Sequence, residues 1–242
     1  MKNTLKFSIF LTFMITIFSL NQLGWASQDK LLDEHIDPVS QYNLGLKYYL
    51  GEAIPRDDIQ ADYWFEKAAE QGHAMGQWRM GVKCFEGRNG PKDLIQAFNW
   101  FQKAEVQDCL AARHDLGKMY FYGNGVDEDV TKGLQLITDS AQKDNYDAQM
   151  TLMLIYKEGQ KGIPQDLDKA GEWKKKVLGN LYFSQAKNKY QKINTVRNLE
   201  VPVILEEALF LFHKAAEQGH EEARALMMRL TNRNDIRFPE NQ

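Results

Sequence analysis

Apolar residues recur along this chain in short runs at helical spacing, and the runs come in pairs. In the first run of a pair the apolar places are Tyr42, Leu44, Tyr48 and Tyr49, returning later as Leu116, Met119, Tyr120 and Phe121. Steps of three and four residues keep side chains on one helix face, which predicts a helix for each run. These helices begin near Pro38, Ala74, Leu110 and Tyr146 and stop at Gly51, Gly87, Gly123 and Gly159. Glycine enters the left-handed conformation that ends a helix. A short polar turn follows, and Asp58, Asp93, Asp129 and Asp166 are placed to cap the next helix. That second helix carries a small residue and a large aromatic: Ala61 with Trp64, Ala97 with Trp100, and Ala170 with Trp173. The third copy has Gly133 and Leu136 instead.

The pairs recur at a fixed interval. Gly45, Gly81 and Gly117 are each 36 residues from the next, and Met153 falls on the following mark. Leu44-Gly45-x-x-Tyr48 returns as Leu116-Gly117-x-x-Tyr120, and the seven residues from Lys67 to His73 reappear unchanged from Lys214 to His220. Such a period means units that stack in a row. The fold class expected is all-α, an α/α solenoid of antiparallel helix pairs. Its slices are 38–73, 74–109, 110–145 and 146–182, the fourth with one extra residue in its turn. A degenerate fifth, 183–220, has a first helix over about Tyr182 to Lys192 without the Leu-Gly pair, then a longer connection from Asn194 to Pro202. The repeat number is therefore four or five. A last helix from Glu221 to Asn232, within 221–242, carries Glu221, Glu222, Arg224, Arg229 and Arg233, a polar face suited to closing the open core end. A glycine inside a helix costs about 1 kcal/mol relative to alanine. Its regular return implies close approach of the partner helix with the aromatic packed over it, so Trp64, Trp100 and Trp173 are read as structural.

These residues resemble the Sel1-like repeat family, a relative of the tetratricopeptide repeats. Leu44, Gly45, Tyr48, Gly51, Asp57, Ala61, Trp64, Lys67, Ala68, Ala69 and Gly72 match its pattern in the first copy, and Leu116, Gly117, Tyr120, Gly123, Gly125 and Val126 in the third. The resemblance covers Pro38 to His220. It implies an α-solenoid used as an adaptor in protein–protein contacts. One exported, cysteine-rich branch resembles penicillin-binding or β-lactamase-like proteins, and this chain lacks that branch's paired cysteine in each repeat.

Net charge is −3 with a pI near 6.0, and no basic run interleaves with aromatics. Nucleic acid, which needs clustered Lys and Arg, is excluded as the expected partner. The first 26 residues form an export signal: Lys2 and Lys6, an apolar stretch of 14 residues from Phe7 to Leu20, and the small-x-small site Gly24-Trp25-Ala26. Cleavage is expected after Ala26, followed by a lead-in over 27–37. The apolar stretch falls short of the roughly 20 residues that span a bilayer, and an uncleaved anchor is the alternative. Periplasm or medium is the expected location, and a monomer the expected state. Export permits disulfides, but Cys84 and Cys109 are offset by 11 residues of register, about 16 Å along parallel helices. A bridge tolerates about 7 Å between Cα atoms. The two are read as unpaired, Cys84 packing where Tyr48 and Tyr120 pack.

Candidate chemistry is thin. Ser140-Ala-Gln-Lys143 and Ser184-Gln-Ala-Lys187 have the Ser-x-x-Lys spacing of penicilloyl enzymes but no accompanying Ser-Asp-Asn or Lys-Thr-Gly. No histidine pair has the i, i+4 spacing of a metal site, and His73 and His220 are read as helix-end residues suited to the dipole. Asp127 to Thr138 begins like a calcium loop but has Lys132 where glycine is needed. Catalysis, metal and cofactor are therefore not expected. In the related tetratricopeptide repeats a stripe of each first helix lines the concave groove. The corresponding fifth and twelfth places hold Tyr42 and Tyr49, Trp78 and Phe85, His114 and Phe121, and Met150 and Lys157. Aromatic side chains give contact area at low entropy cost. Tyr42, Tyr49, Trp78, Phe85, His114, Phe121 and Met150 are the candidate groove for a protein or peptide ligand, Trp78 foremost.

Overall fold

The computed structural model describes residues 36–192 and 201–231. The expected export signal over residues 1–26 with cleavage after Ala26, the lead-in up to residue 35, the connection over residues 194–200, and Arg233 lie outside them. Among the described residues the regular structure is helical throughout: α1 Pro38–Leu50, α2 Asp58–Glu70, α3 Ala74–Glu86, α4 Leu94–Glu105, α5 Leu110–Tyr122, α6 Val130–Gln142, α7 Tyr146–Glu158, α8 Leu167–Lys192, α9 Val201–Glu217 and α10 Glu221–Thr231. Each helix packs on its chain neighbours, and the first helices α3, α5 and α7 also touch one another. That is an α/α solenoid, as the periodicity implies.

The helix ends follow the glycines and aspartates. Gly51, Gly87 and Gly123 cap α1, α3 and α5 with φ near +70°. Within each pair the N–H of the aspartate cap returns to a carbonyl of the first helix: Asp57 to Tyr48, Asp93 to Cys84, Asp129 to Tyr120 and Asp166 to Tyr156, at 2.8–3.0 Å. This one bond closes every turn, and the fourth turn absorbs its extra residue without losing it. The first cap is Asp57 and not Asp58. Asp57 has extended backbone and its Oδ1 accepts from Ile59 and Gln60 N–H at 3.0 Å. Asp58 is already helical and pairs with Arg56 at 2.9 Å.

Close approach of the paired helices accounts for the internal glycines, with a one-residue correction to what covers them. A Cβ on Gly45, Gly81 or Gly117 would come within 2.7, 2.4 or 2.7 Å of Phe65, Phe101 or Ile137. The residue over the glycine is thus the one after the tryptophan position. Trp64 is buried beside it, while Trp100 and Trp173 are half-buried against the core clusters. Slices are also stitched to one another by polar groups. Gln77, Arg113 and Gln149 share one place in successive first helices, and each reaches back eight residues, to Ala69 carbonyl, Glu105 carboxylate and Ala141 carbonyl.

The fifth slice differs from expectation in two ways. The boundary at residue 182 falls inside α8, which runs 26 residues without a break. Earlier slices turn here on a left-handed residue, Gly72, Asp108 or Asp144 with φ of +88°, +59° and +64°. The equivalent place holds Leu181, a side chain with no local hydrogen bond to support that conformation, so the helix continues. The Leu-Gly pair is absent as expected, Gln185-Ala186 standing in its place, but the packing it serves is kept. Phe183 and Tyr190 meet Phe212 at ring distances of 5.8 and 6.4 Å, as Tyr42 and Tyr49 meet Phe65 at 5.5 and 6.4 Å. In that register the buried Ala186 stands where Gly45 stands, and the second half of α8 is a true first helix for α9. Val201 and Pro202, read as connection, already belong to α9. The outer face of α10 shows Glu221, Glu222, Arg224 and Arg229 as expected, and also an exposed Met228.

Candidate functional site

Helices α3, α5 and α7 lie side by side because equal slices present equal faces. Between them runs an open groove of about 470 Å³. Four of the seven candidate residues border it: Trp78 and Phe85 from α3, His114 from α5 and Met150 from α7. Leu154 completes the apolar part and is 40% exposed. Two polar links hold the walls. The indole N–H of Trp78 donates to Asp115 Oδ2 at 2.8 Å, and Lys118 donates to the other oxygen at 2.9 Å. The indole is thereby held by a charged acceptor one slice away. His114 Nε2 lies 2.9 Å from Thr151 Oγ1, whose own proton goes to the Asp147 carbonyl at 2.8 Å. The imidazole must then be the donor, neutral and protonated on Nε2. Burial pushes its pKa down from 6.5 to about 4, against the opposing pull of Asp115, so it stays neutral at ordinary pH.

The other candidates fall elsewhere. Phe121 is a correction: it is 0% exposed and packs with Ile137, Leu152 and Ile155 in the core. Seven residues fall about 20° short of two helical turns, so the twelfth place is rotated from the fifth, here into the neighbouring slice. His114 itself is only 5% exposed and contributes floor, not surface. Tyr49 is half-buried one slice before the groove and is linked to it by Arg79, whose guanidinium lies 4.8 Å from the Tyr49 ring and 4.7 Å from the Trp78 ring. Tyr42 packs on Phe65 and His73.

Asp115 and Lys118 line the groove and Arg79 lies against Trp78, and sequence reasoning missed all three. Asp115 follows His114 and Lys118 lies one turn on, so scanning both neighbours of the stripe would have found them. His73 and His220 also act differently from expectation. Each caps the following helix: their Nδ1 atoms accept from Gly76 and Ala223 N–H at 3.1 and 3.2 Å. Acceptance requires the neutral ring, and burial lowers the His73 pKa, with Asp37 opposing.

Among the described residues neither Ser-x-x-Lys match pairs its serine with its lysine. The Ser140 hydroxyl donates to the Leu110 carbonyl at 2.8 Å, and Lys143 turns to Asp108 at 3.3 Å. Ser184 is exposed on α8. Cys84 and Cys109 are free and buried, and burial raises the pKa of both thiols. Among the described residues no three metal-ligating side chains converge, and no helix is long and apolar enough to cross a membrane.

The Sel1 repeat pattern matches residues 38–73, 74–105, 110–145, 154–176 and 205–220. Among solved structures, the chain is similar to a protective antigen present in uropathogenic Escherichia coli strains and displaying an SLR fold, at 26% identity and a TM-score of 0.51. That match covers 83% of this chain and 50% of the antigen, so the chain spans about half of its length. It is also similar to a sel1 repeat protein from Klebsiella pneumoniae (23% identity, TM-score 0.49, covering 85% and 98% of the two chains). A Sel1 repeat protein from Oxalobacter formigenes matches at 29% identity and a TM-score of 0.43, over 48% and 87%. No curated protein matches the chain.

Proposed function

Because this chain belongs to the Sel1 repeat family, we propose that it is a monomeric, non-catalytic scaffold that holds a segment of another protein along the groove of its first helices. One observation carries the proposal: Trp78, Phe85 and Met150 open onto a single groove shared by three first helices, with the indole already held by Asp115. A fixed aromatic loses little entropy on binding and makes a strong anchor. The same proposal places the protein outside the cytoplasm, in periplasm or medium, on the strength of the signal over residues 1–26 and cleavage after Ala26.

Affinity capture with the mature chain and with Trp78→Ala tests the binding. The variant should keep its helical circular dichroism and lose about 2 kcal/mol of partner affinity, while Trp64→Ala, which empties a buried place, should lose stability. Equal capture by Trp78→Ala and the parent would sink the groove assignment. Intact mass of protein from the envelope fraction tests export, and a full-length mass retaining Met1 would speak against cleavage.

A further inference from the structure

A second cleft, of about 640 Å³, opens between the second helices α4 and α6, with Leu116 and Tyr120 of α5 as its floor. We propose that it takes an aromatic side chain from an acidic segment of a partner protein. Apart from that floor it is lined by second helices and the turn after α4, and it shares no lining residue with the groove described above.

Three departures from the repeat meet at this cleft. The first is Leu136. The equivalent places hold Trp100 in α4 and Trp173 in α8, each indole packed against a core cluster. Leucine leaves the room an indole takes elsewhere. The second is Val106, 83% exposed at the rim. Its equivalent one slice earlier is Glu70, which pairs with Lys67 at 3.0 Å. With valine there, Lys103, the equivalent of Lys67, meets no carboxylate among the described residues and rests 4.3 Å from the Trp100 ring. The third is Lys132. It stands where the first two slices have Gln60 and Gln96 and the fourth has Lys169, which pairs with Asp166 at 3.2 Å; Lys132 meets no carboxylate among the described residues and lies 3.9 Å from the Tyr120 ring.

Both lysines line the cleft. Glu105, its one acid, is taken by Arg113 at 2.9 Å. Asp139 stands in the neighbouring hollow beyond Leu136. An apolar hollow with room for an indole, under two cations without acidic partners among the described residues, is complementary to an aromatic ring flanked by carboxylates. The repeat supplies both missing features at the equivalent places of other slices. Here the partner would bring them.

The test is fluorescence anisotropy of a fluorescein-labelled peptide, one tryptophan between acidic residues, titrated with the full chain. Saturable binding that weakens with added salt is expected. Val106→Glu, at an exposed rim, restores the repeat's own ion pair and should weaken binding about tenfold or more. Leu136→Trp fills the hollow and should do the same with no loss in melting temperature. Ile59→Ser, at an exposed apolar place on α2 that lines neither the cleft nor the groove, should leave this affinity unchanged. A peptide with alanine for tryptophan should not bind. No saturation by the parent chain, or unchanged binding by Val106→Glu, would overturn the proposal. Indole-3-acetate binding as tightly as the peptide would also overturn it, in favour of a small aromatic anion.

Discussion

At Gly81 a methyl group has nowhere to go. The Phe101 ring, 2.4 Å from where a Cβ would sit, is itself 1% exposed and boxed in by the core. Gly81→Ala therefore trades about 1 kcal/mol of helix propensity for overpacking of about 1–3 kcal/mol, and Gly81→Leu should cost more. Gly171 supplies the opposite case, a helical glycine with nothing within 4 Å of an added Cβ. Gly171→Ala should raise stability by up to about 1 kcal/mol. Denaturant melts of the variants must show opposite signs, or the close-approach account of the glycines is wrong. His114 makes a pH prediction at the same scale. Its folded pKa of about 4 lies below the ordinary 6.5, so between these values the unfolded chain binds a proton the folded chain does not. Stability is full above pH 6.5 and falls as pH drops toward 4, by about 2 kcal/mol at pH 5. His73, also lowered, acts in the same direction. The carboxylates Asp37, Asp108 and Asp166 are lowered below 3.8 and lose their contribution only in stronger acid. Melts at pH 7 and pH 5 should differ less for His114→Met, which carries the residue found at the equivalent place in α7. An unchanged difference would assign the effect to other groups.

At the scale of the helix, glycine and aspartate were legible and side-chain register was not. Gly51, Gly87 and Gly123 stop helices because the chain needs positive φ there, a demand few residue types meet. Trp64 and Phe65 are both large and aromatic, so hydrophobic spacing alone could not choose which one covers Gly45. Phe121 shows the same blindness, since a seven-residue stripe drifts around the helix while the letters stay aromatic. Ala186 hid because alanine preserves the small size of Gly45 while erasing the motif. The bonds made by Gln77 and Gln149 were missed for a different reason. Glutamine reads as surface, although its return after 72 residues was a signal in plain view. The unbroken α8 follows from Leu181, and it makes a prediction of its own. Native-state hydrogen exchange should find the amides around Leu181 as slow as those of the helix centres. Amides around Asp108 and Asp144, at true turns, should exchange far faster. Fast exchange at Leu181 would mean that α8 is two helices in solution.

Across the whole molecule the groove and the outer cleft lie on different helices, the groove on α3, α5 and α7 and the cleft chiefly on α4 and α6. The period announced the first of these surfaces, because repetition makes a continuous stripe. The second exists only where the period is broken, at Val106 and Leu136, so a pattern search passes over it. Stability is built locally, since helices contact chain neighbours and, more lightly, the next first helix. Energy terms should therefore add slice by slice.

That locality has a mechanical side. A chain whose contacts all lie close along its length, drawn out by its ends, would yield in steps instead of all at once. Each slice of 36 residues would pay out about 120 Å of extended chain. The rhythm would fail at α8. With no turn between them to give way first, the last two pairs share one rod, and they would hold together and let go as a single longer step.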